Sequence, residues 1–218
     1  MAAVVQWRSE REGSDMKKRK TPKRRRGWLL LVPVLLAAVW LLWQQAGKIT
    51  VRELAQLEVP DYVDVQIIDV DGSSRRGTQL DGISDIVIHY VGNPGTTAAQ
   101  NRGWYANPQS TVSSHFLVGL EGEVIQCIPL NEKSSATNHR NGDTISIEVC
   151  HPDDSGQFSP ATYNSLVELT AWLVEACGLE PDRIIRHYDV TGKECPRYFV
   201  RNEEAWLQFK ADVAARIP

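Results

Sequence analysis

The chain has 218 residues, 42% of them hydrophobic, enough for one medium-sized core plus an appendage but not for two large domains. The net charge of −3 averages two different regions: residues 1–26 carry ten Lys/Arg against three Asp/Glu (+7), and the rest carries 14 against 24 (−10). An acidic body argues against nucleic acid as a partner, because phosphate binding needs a basic surface on the folded domain.

Residues 27–47, GWLLLVPVLLAAVWLLWQQAG, hold no charge, and about 20 apolar residues cross a hydrocarbon core as a helix. Trp28, Trp40 and Trp43 lie near the ends of this run, where indoles favour the interface. Eight basic residues between Lys17 and Arg26 precede it, and such flanks stay cytoplasmic, so the chain beyond is expected outside. A cleaved leader would end in a small-x-small pattern; here Gln44 stands two before Ala46. The expected organisation is a basic cytoplasmic segment (1–26), a transmembrane signal-anchor (27–47), a stalk (48–59) and a globular domain (60–218). The expected location is the cell membrane, single-pass, with that domain on the outer side.

Within the globular part, IVIHY (86–90) is a continuous apolar run, as in a strand buried on both faces. A short helix is expected over 96–106 and a hairpin over 115–130, turning at Glu121–Gly122. TISIEVC (144–150) alternates as a strand does. Ser159 and Pro160 open the clearest helix, whose apolar positions run from Tyr163 to Cys177 before Gly178 ends it. RIIRHY (183–188) reads as another strand, with His187 at its end. Asn202 is placed to cap a last helix buried through Trp206, Phe209 and Val213. The mixture predicts an α/β fold, a single domain with a central mixed β-sheet flanked by helices, preceded by the one transmembrane helix.

Five histidines and four cysteines carry the candidate chemistry. His89 ends one apolar strand, and Cys195 follows His187 by eight positions through a turn-rich stretch. Two imidazoles and a thiolate suit zinc, and three protein ligands leave a fourth position for water. By spacing alone this pattern also describes ordinary strand histidines. Glu148 could move a proton and Lys193 could face an oxyanion, while both also suit a solvated strand and a plain loop lysine. Cys195 paired with His187 or His151 would be a thiol nucleophile, though it is followed by Pro196 in a loop rather than opening an evident helix. Cys127, Cys150 and Cys177 form no C-x-x-C pair; a disulfide among them stays open. GNPGTT (92–97) lacks the G-K-[ST] ending of a phosphate loop.

Taken together, IVIHYVGNPGTTAAQNRGWY, SSHFLVGLEGEVIQCIPLNEKSSATNH, NGDTISIEVC and RIIRHYDVTGKECPRYF resemble the type-2 N-acetylmuramoyl-L-alanine amidases over about 61–210. This family includes bacterial cell-wall amidases, phage endolysins and peptidoglycan-recognition proteins, and the likeness is strongest to the Gram-positive and phage branch. The resemblance implies one Zn²⁺ per chain held by His89, His187 and Cys195. It implies Glu148 as the catalytic carboxylate and Lys193 as its partner. It places His115 and His139 along a substrate groove, as binding candidates. The implied substrate is peptidoglycan, cut between N-acetylmuramic acid and L-alanine; the alternative is a module that recognises peptidoglycan without cutting it. Some relatives carry a catalytic tyrosine before the His-Phe pair. Here that residue is Ser114, which leaves the glutamate version of the chemistry. The stretch 131–141 departs most from the family pattern.

Overall fold

The computed structural model describes residues 32–39, 49–70 and 72–217. The chain divides into two compact units, Met1–Gln45 and Ala46–Pro218. In the first unit, residues 32–39 form helix α1, with Val32, Val34, Leu35, Leu36 and Val39 exposed. Among the described residues no helix is long and apolar enough to cross a membrane. The basic segment and most of the expected span 27–47 lie outside the described residues.

The second unit begins earlier than the expected boundary at residue 60. Thr50 and Glu53 cap helix α2 (Val51–Leu54) reciprocally: Glu53 N–H donates to Thr50 Oγ1 at 3.3 Å, and Thr50 N–H donates to the Glu53 carboxylate at 2.8 Å. Leu54 is buried in the core, and Ile49, Val51, Leu57 and Val59 pack against it. Residues 49–59, expected as a free stalk, are therefore held to the domain by their own apolar side chains.

Six strands follow: β1 (Val63–Val65), β2 (Asp85–Tyr90), β3 (Phe116–Val118), β4 (Val124–Gln126), β5 (Thr144–Val149) and β6 (Ile184–Arg186). They form one sheet in the order β1-β4-β3-β5-β2-β6. Only the β3–β4 hairpin is antiparallel, so the sheet is mixed, as expected. Helix α3 (Ala98–Tyr105) follows β2, and α4 (Pro160–Ala176) follows β5. Ser159 Oγ accepts from Thr162 N–H at 3.1 Å and caps α4.

Strand alternation sorts the side chains onto two faces. Ile86 and Ile88 of β2, Phe116 and Val118 of β3, and Ile145, Ile147 and Val149 of β5 join α4 in the main core. Trp206, Phe209 and Val213 of helix α7 (Glu203–Ala214) complete it. On the opposite face a smaller cluster forms beneath α3 from Ala98, Tyr105, Leu117, Ile125, Cys127 and Cys150. His89 and Glu148 alternate onto this second face, which α4 and α7 leave open.

Two local expectations change. The sixth strand stops at Arg186, and His187 opens helix α5 (His187–Thr191), because Asp189 accepts from Arg186 N–H at 2.8 Å and turns the chain there. Asn202 precedes α7 without capping it through its side chain; its Nδ2 instead donates to the carbonyl of Tyr198, in the first turn of α6 (Arg197–Arg201), at 2.9 Å. All four cysteines are free and buried, so no disulfide forms.

Candidate metal centre

Strands β2, β5 and β6 run parallel, so their carboxyl ends open at one edge of the sheet, where ligand sites of such sheets gather. The register pairs His89 with Glu148 across β2–β5. It pairs Ile88 with Arg186 across β2–β6, which brings His187, the next residue, level with His89. The turn after α5 returns Cys195 to the same place, where its carbonyl accepts from Tyr188 N–H at 2.9 Å.

The three donors converge. His89 Nδ1 and His187 Nδ1 lie 3.1 Å apart, Cys195 Sγ lies 3.9 Å from His89 Nδ1, and all three fall within 4.8 Å of one another. Tetrahedral zinc with ordinary bond lengths separates two nitrogens by about 3.3 Å and nitrogen from sulfur by about 3.6 Å. The His89–His187 and His89–Cys195 spacings lie close to those values. The outer ring nitrogens are also engaged: His89 Nε2 meets Thr137 Oγ1 at 3.3 Å, and His187 Nε2 donates to Asn138 Oδ1 at 2.8 Å. With its proton on Nε2, His187 presents a bare Nδ1 lone pair to the centre, as a metal requires.

Electrostatics favour neutral donors. Burial, then the neighbouring His187 and Lys193 charges, holds His89 well below the usual histidine range. Burial and Lys193 lower His187 likewise. Burial also raises the Cys195 thiol strongly, with Glu148 adding to it. Without a cation, the buried thiol therefore stays protonated and is a poor nucleophile, although it sits just before the N-cap of α6. His151, its other suggested base, stacks on Tyr90 with ring centroids 5.0 Å apart and donates Nδ1–H to Asp153 O at 2.7 Å.

Glu148 lies beside the cluster, its Oε1 3.9 Å from His89 Nδ1. Although 19% of its side chain is exposed, Oε2 is buried with no hydrogen-bond partner. Burial pushes its pKa up to about 8, and the Lys193 ammonium opposes that rise. Lys193 itself is exposed at the rim.

The two groove candidates separate. His139 is exposed on the 3-10 turn Asn138–Arg140, next to the residues that touch the ligand rings. His115 does not line a groove. It is fully buried; its Nδ1 accepts from Ser146 N–H at 3.0 Å and its Nε2 donates to Glu132 O at 2.9 Å. With both ring nitrogens used inside the domain, it braces β3 against β5 and the 129–134 loop. Thr137 and Asn138, which touch the two candidate-donor histidines, gave no sign in the sequence. They lie 48 and 49 residues from their partners, in the stretch least typical of the family.

Residues 79–198 match the family model described as N-acetylmuramoyl-L-alanine amidase. The chain belongs to this family. Among curated amidases it is 33% identical over 171 residues to N-acetylmuramoyl-L-alanine amidase BlyA of Bacillus subtilis (strain 168), covering 69% of this chain and 46% of that protein. It is 30% identical over 163 residues to the amidase CwlL of Bacillus licheniformis, covering 67% and 45%. The chain thus spans about half the length of the curated relatives it matches. The solved catalytic domain of XlyA superposes with a TM-score of 0.61 at 30% identity, covering 69% of this chain and 98% of that one. A mutant endolysin from Bacillus subtilis superposes equally, with a TM-score of 0.61 at 30% identity over 69% and 97%. The amidase fold is therefore the one anticipated, a mixed sheet with helices against it.

Proposed function

We propose that the domain is a zinc-dependent amidase that hydrolyses the bond between N-acetylmuramic acid and L-alanine in peptidoglycan. The observation that carries this reading is the convergence of His89, His187 and Cys195 beside Glu148 at the carboxyl ends of three parallel strands. The names of the curated relatives supply the bond. One zinc ion, held by the two Nδ1 atoms and Sγ, would act as a Lewis acid on the amide carbonyl and lower the pKa of the attacking water.

The chain's own groups supply the rest. Glu148 takes a proton from the attacking water and returns it to the departing L-alanine nitrogen as the C–N bond breaks. A carboxyl raised toward neutrality suits both halves of that exchange, because it accepts and releases a proton near working pH. The Lys193 ammonium steadies the negative charge that develops on the carbonyl oxygen. Thr137 and Asn138 orient the ligand rings. His139, exposed beside them, is placed to touch substrate.

The test uses residues 46–218, one compact unit, with purified peptidoglycan and a zinc chelator. Free L-alanine amino termini should appear, stop with the chelator and return with added zinc. Wall binding without new termini would instead make the domain a recognition module.

We further propose that residues 27–47 anchor this domain to the outer face of the cell membrane. The support is the uncharged 21-residue run behind eight basic residues. In membranes from expressing cells, the full chain should resist alkaline extraction, and external protease should digest the domain in spheroplasts. Release by alkali would remove the anchor from this account.

A further inference from the structure

We infer that Asn138 is the positioning residue for His187, fixing the ring so that its Nδ1 faces Cys195 and His89. The inference rests on the reading of these three residues as a metal centre.

Three observations carry it. First, Asn138 Oδ1 accepts from His187 Nε2 at 2.8 Å, the shorter of the two bonds made to the ligand rings. An amide oxygen can only accept, so this contact assigns the proton to Nε2 and leaves Nδ1 bare. Second, Asn138 has φ of 55°, and among the described residues it is the one non-glycine in the left-handed region. That conformation is uncommon for residues with a Cβ and tends to mark sites where the surroundings impose it. Here it turns the amide back across the sheet edge to the imidazole.

Third, the turn carrying Asn138 is braced on both sides. Asn141 Oδ1 accepts from Thr137 N–H at 2.6 Å and from Ala136 N–H at 3.2 Å. Arg140 donates to Asp143 and to Asp85, the first residue of the strand that carries His89. Arg183, just before β6, pairs with the other Asp85 oxygen at 2.8 Å. One buried carboxylate thus ties together the turn with Asn138, the strand with His89 and the segment leading into His187. The amide is held against the ring by a frame that does not depend on the ring.

The experiment compares zinc affinity of the full chain, by competition with a chromogenic chelator, for wild type, Asn138→Gly and Asn138→Asp. Metal-free thermal unfolding is recorded for each. Glycine accepts φ of 55° without strain, so Asn138→Gly removes the amide and spares the backbone. Losing such an outer contact lowers metal affinity about 10–100-fold. The expected result is that loss for Asn138→Gly with metal-free unfolding unchanged, and near wild-type affinity for Asn138→Asp, whose carboxylate still accepts from Nε2. Wild-type affinity in Asn138→Gly would overturn the inference alone, as would an Asn138→Asp variant as weak as Asn138→Gly. A wild-type chain that binds no zinc would overturn the metal reading beneath it.

Discussion

Arg140 donates to the buried carboxylate of Asp85, joining the turn beside the candidate centre to the root of strand β2. Asp85 is 3% exposed and also receives Arg183, so its carboxylate pairs with two guanidinium groups, one of which, Arg140, is shared with Asp143. Replacing it with alanine removes that partner from both, leaving Arg140 with Asp143 and Arg183 with the Ser84 carbonyl. Buried ion pairs broken on one side cost about 3–5 kcal/mol, and the partial exposure of the two arginines reduces that here. Asp85→Ala is expected to lower unfolding free energy by about 2–3 kcal/mol, read from the urea midpoint at unchanged slope.

Glu148→Gln keeps the shape and removes the proton acceptor. General acid–base groups contribute about 10²–10⁴-fold, and the turnover rate on peptidoglycan should fall by that order while zinc content stays at one per chain. Loss of zinc together with activity would instead make Glu148 a part of the metal cage.

His115 should impose an acid-sensitive window on stability. Burial holds its pKa down to about 4, whereas in the unfolded chain it titrates near 6.5. Between those values the unfolded state binds a proton that the folded state refuses. The stabilisation is therefore complete above pH 6.5, declines as pH falls toward 4, and is lost below it. The span corresponds to roughly 3 kcal/mol. His115→Phe should be weaker than wild type at pH 7 yet lose less between pH 6.5 and 4. Parallel pH curves for the two proteins would rule out this account.

Gly122 turns the β3–β4 hairpin with φ of 87° directly against helix α4. A Cβ there would lie 2.7 Å from Ser165 Oγ and 3.0 Å from the Ala161 carbonyl oxygen. Strain in the left-handed region alone is worth about 1–3 kcal/mol. Gly122→Ala should lower the melting temperature by several degrees without altering zinc content, because Gly122 packs against α4, on the face of the sheet opposite His89 and Glu148.

The elements with strong local patterns were readable in the chain. Ser159–Pro160 and Gly178 bracket α4 to within two residues of its ends, and the runs at 86–90 and 144–149 are strands. The candidate metal donors were suggested only through the family resemblance, since spacing along the chain does not report that His89 and His187 come together. Where sequence reasoning failed, long-range contacts decided. His115 resembled a groove residue until Ser146 and the Glu132 carbonyl were seen to use both its nitrogens. His187 looked like a strand end because the Asp189 contact that starts the helix is invisible to hydropathy. Residues 48–59 read as a stalk because the core residues they pack against are distant in the chain.

The four unpaired cysteines bear on how this domain meets oxidants. Burial raises Cys127, Cys150 and Cys177 to about 12, so at neutral pH only about one thiol in 10⁵ at each position is the reactive thiolate. Burial and protonation together slow oxidation at these three positions. Among the described residues the fold thus has no disulfide to maintain, and three of its four thiols are sealed within it.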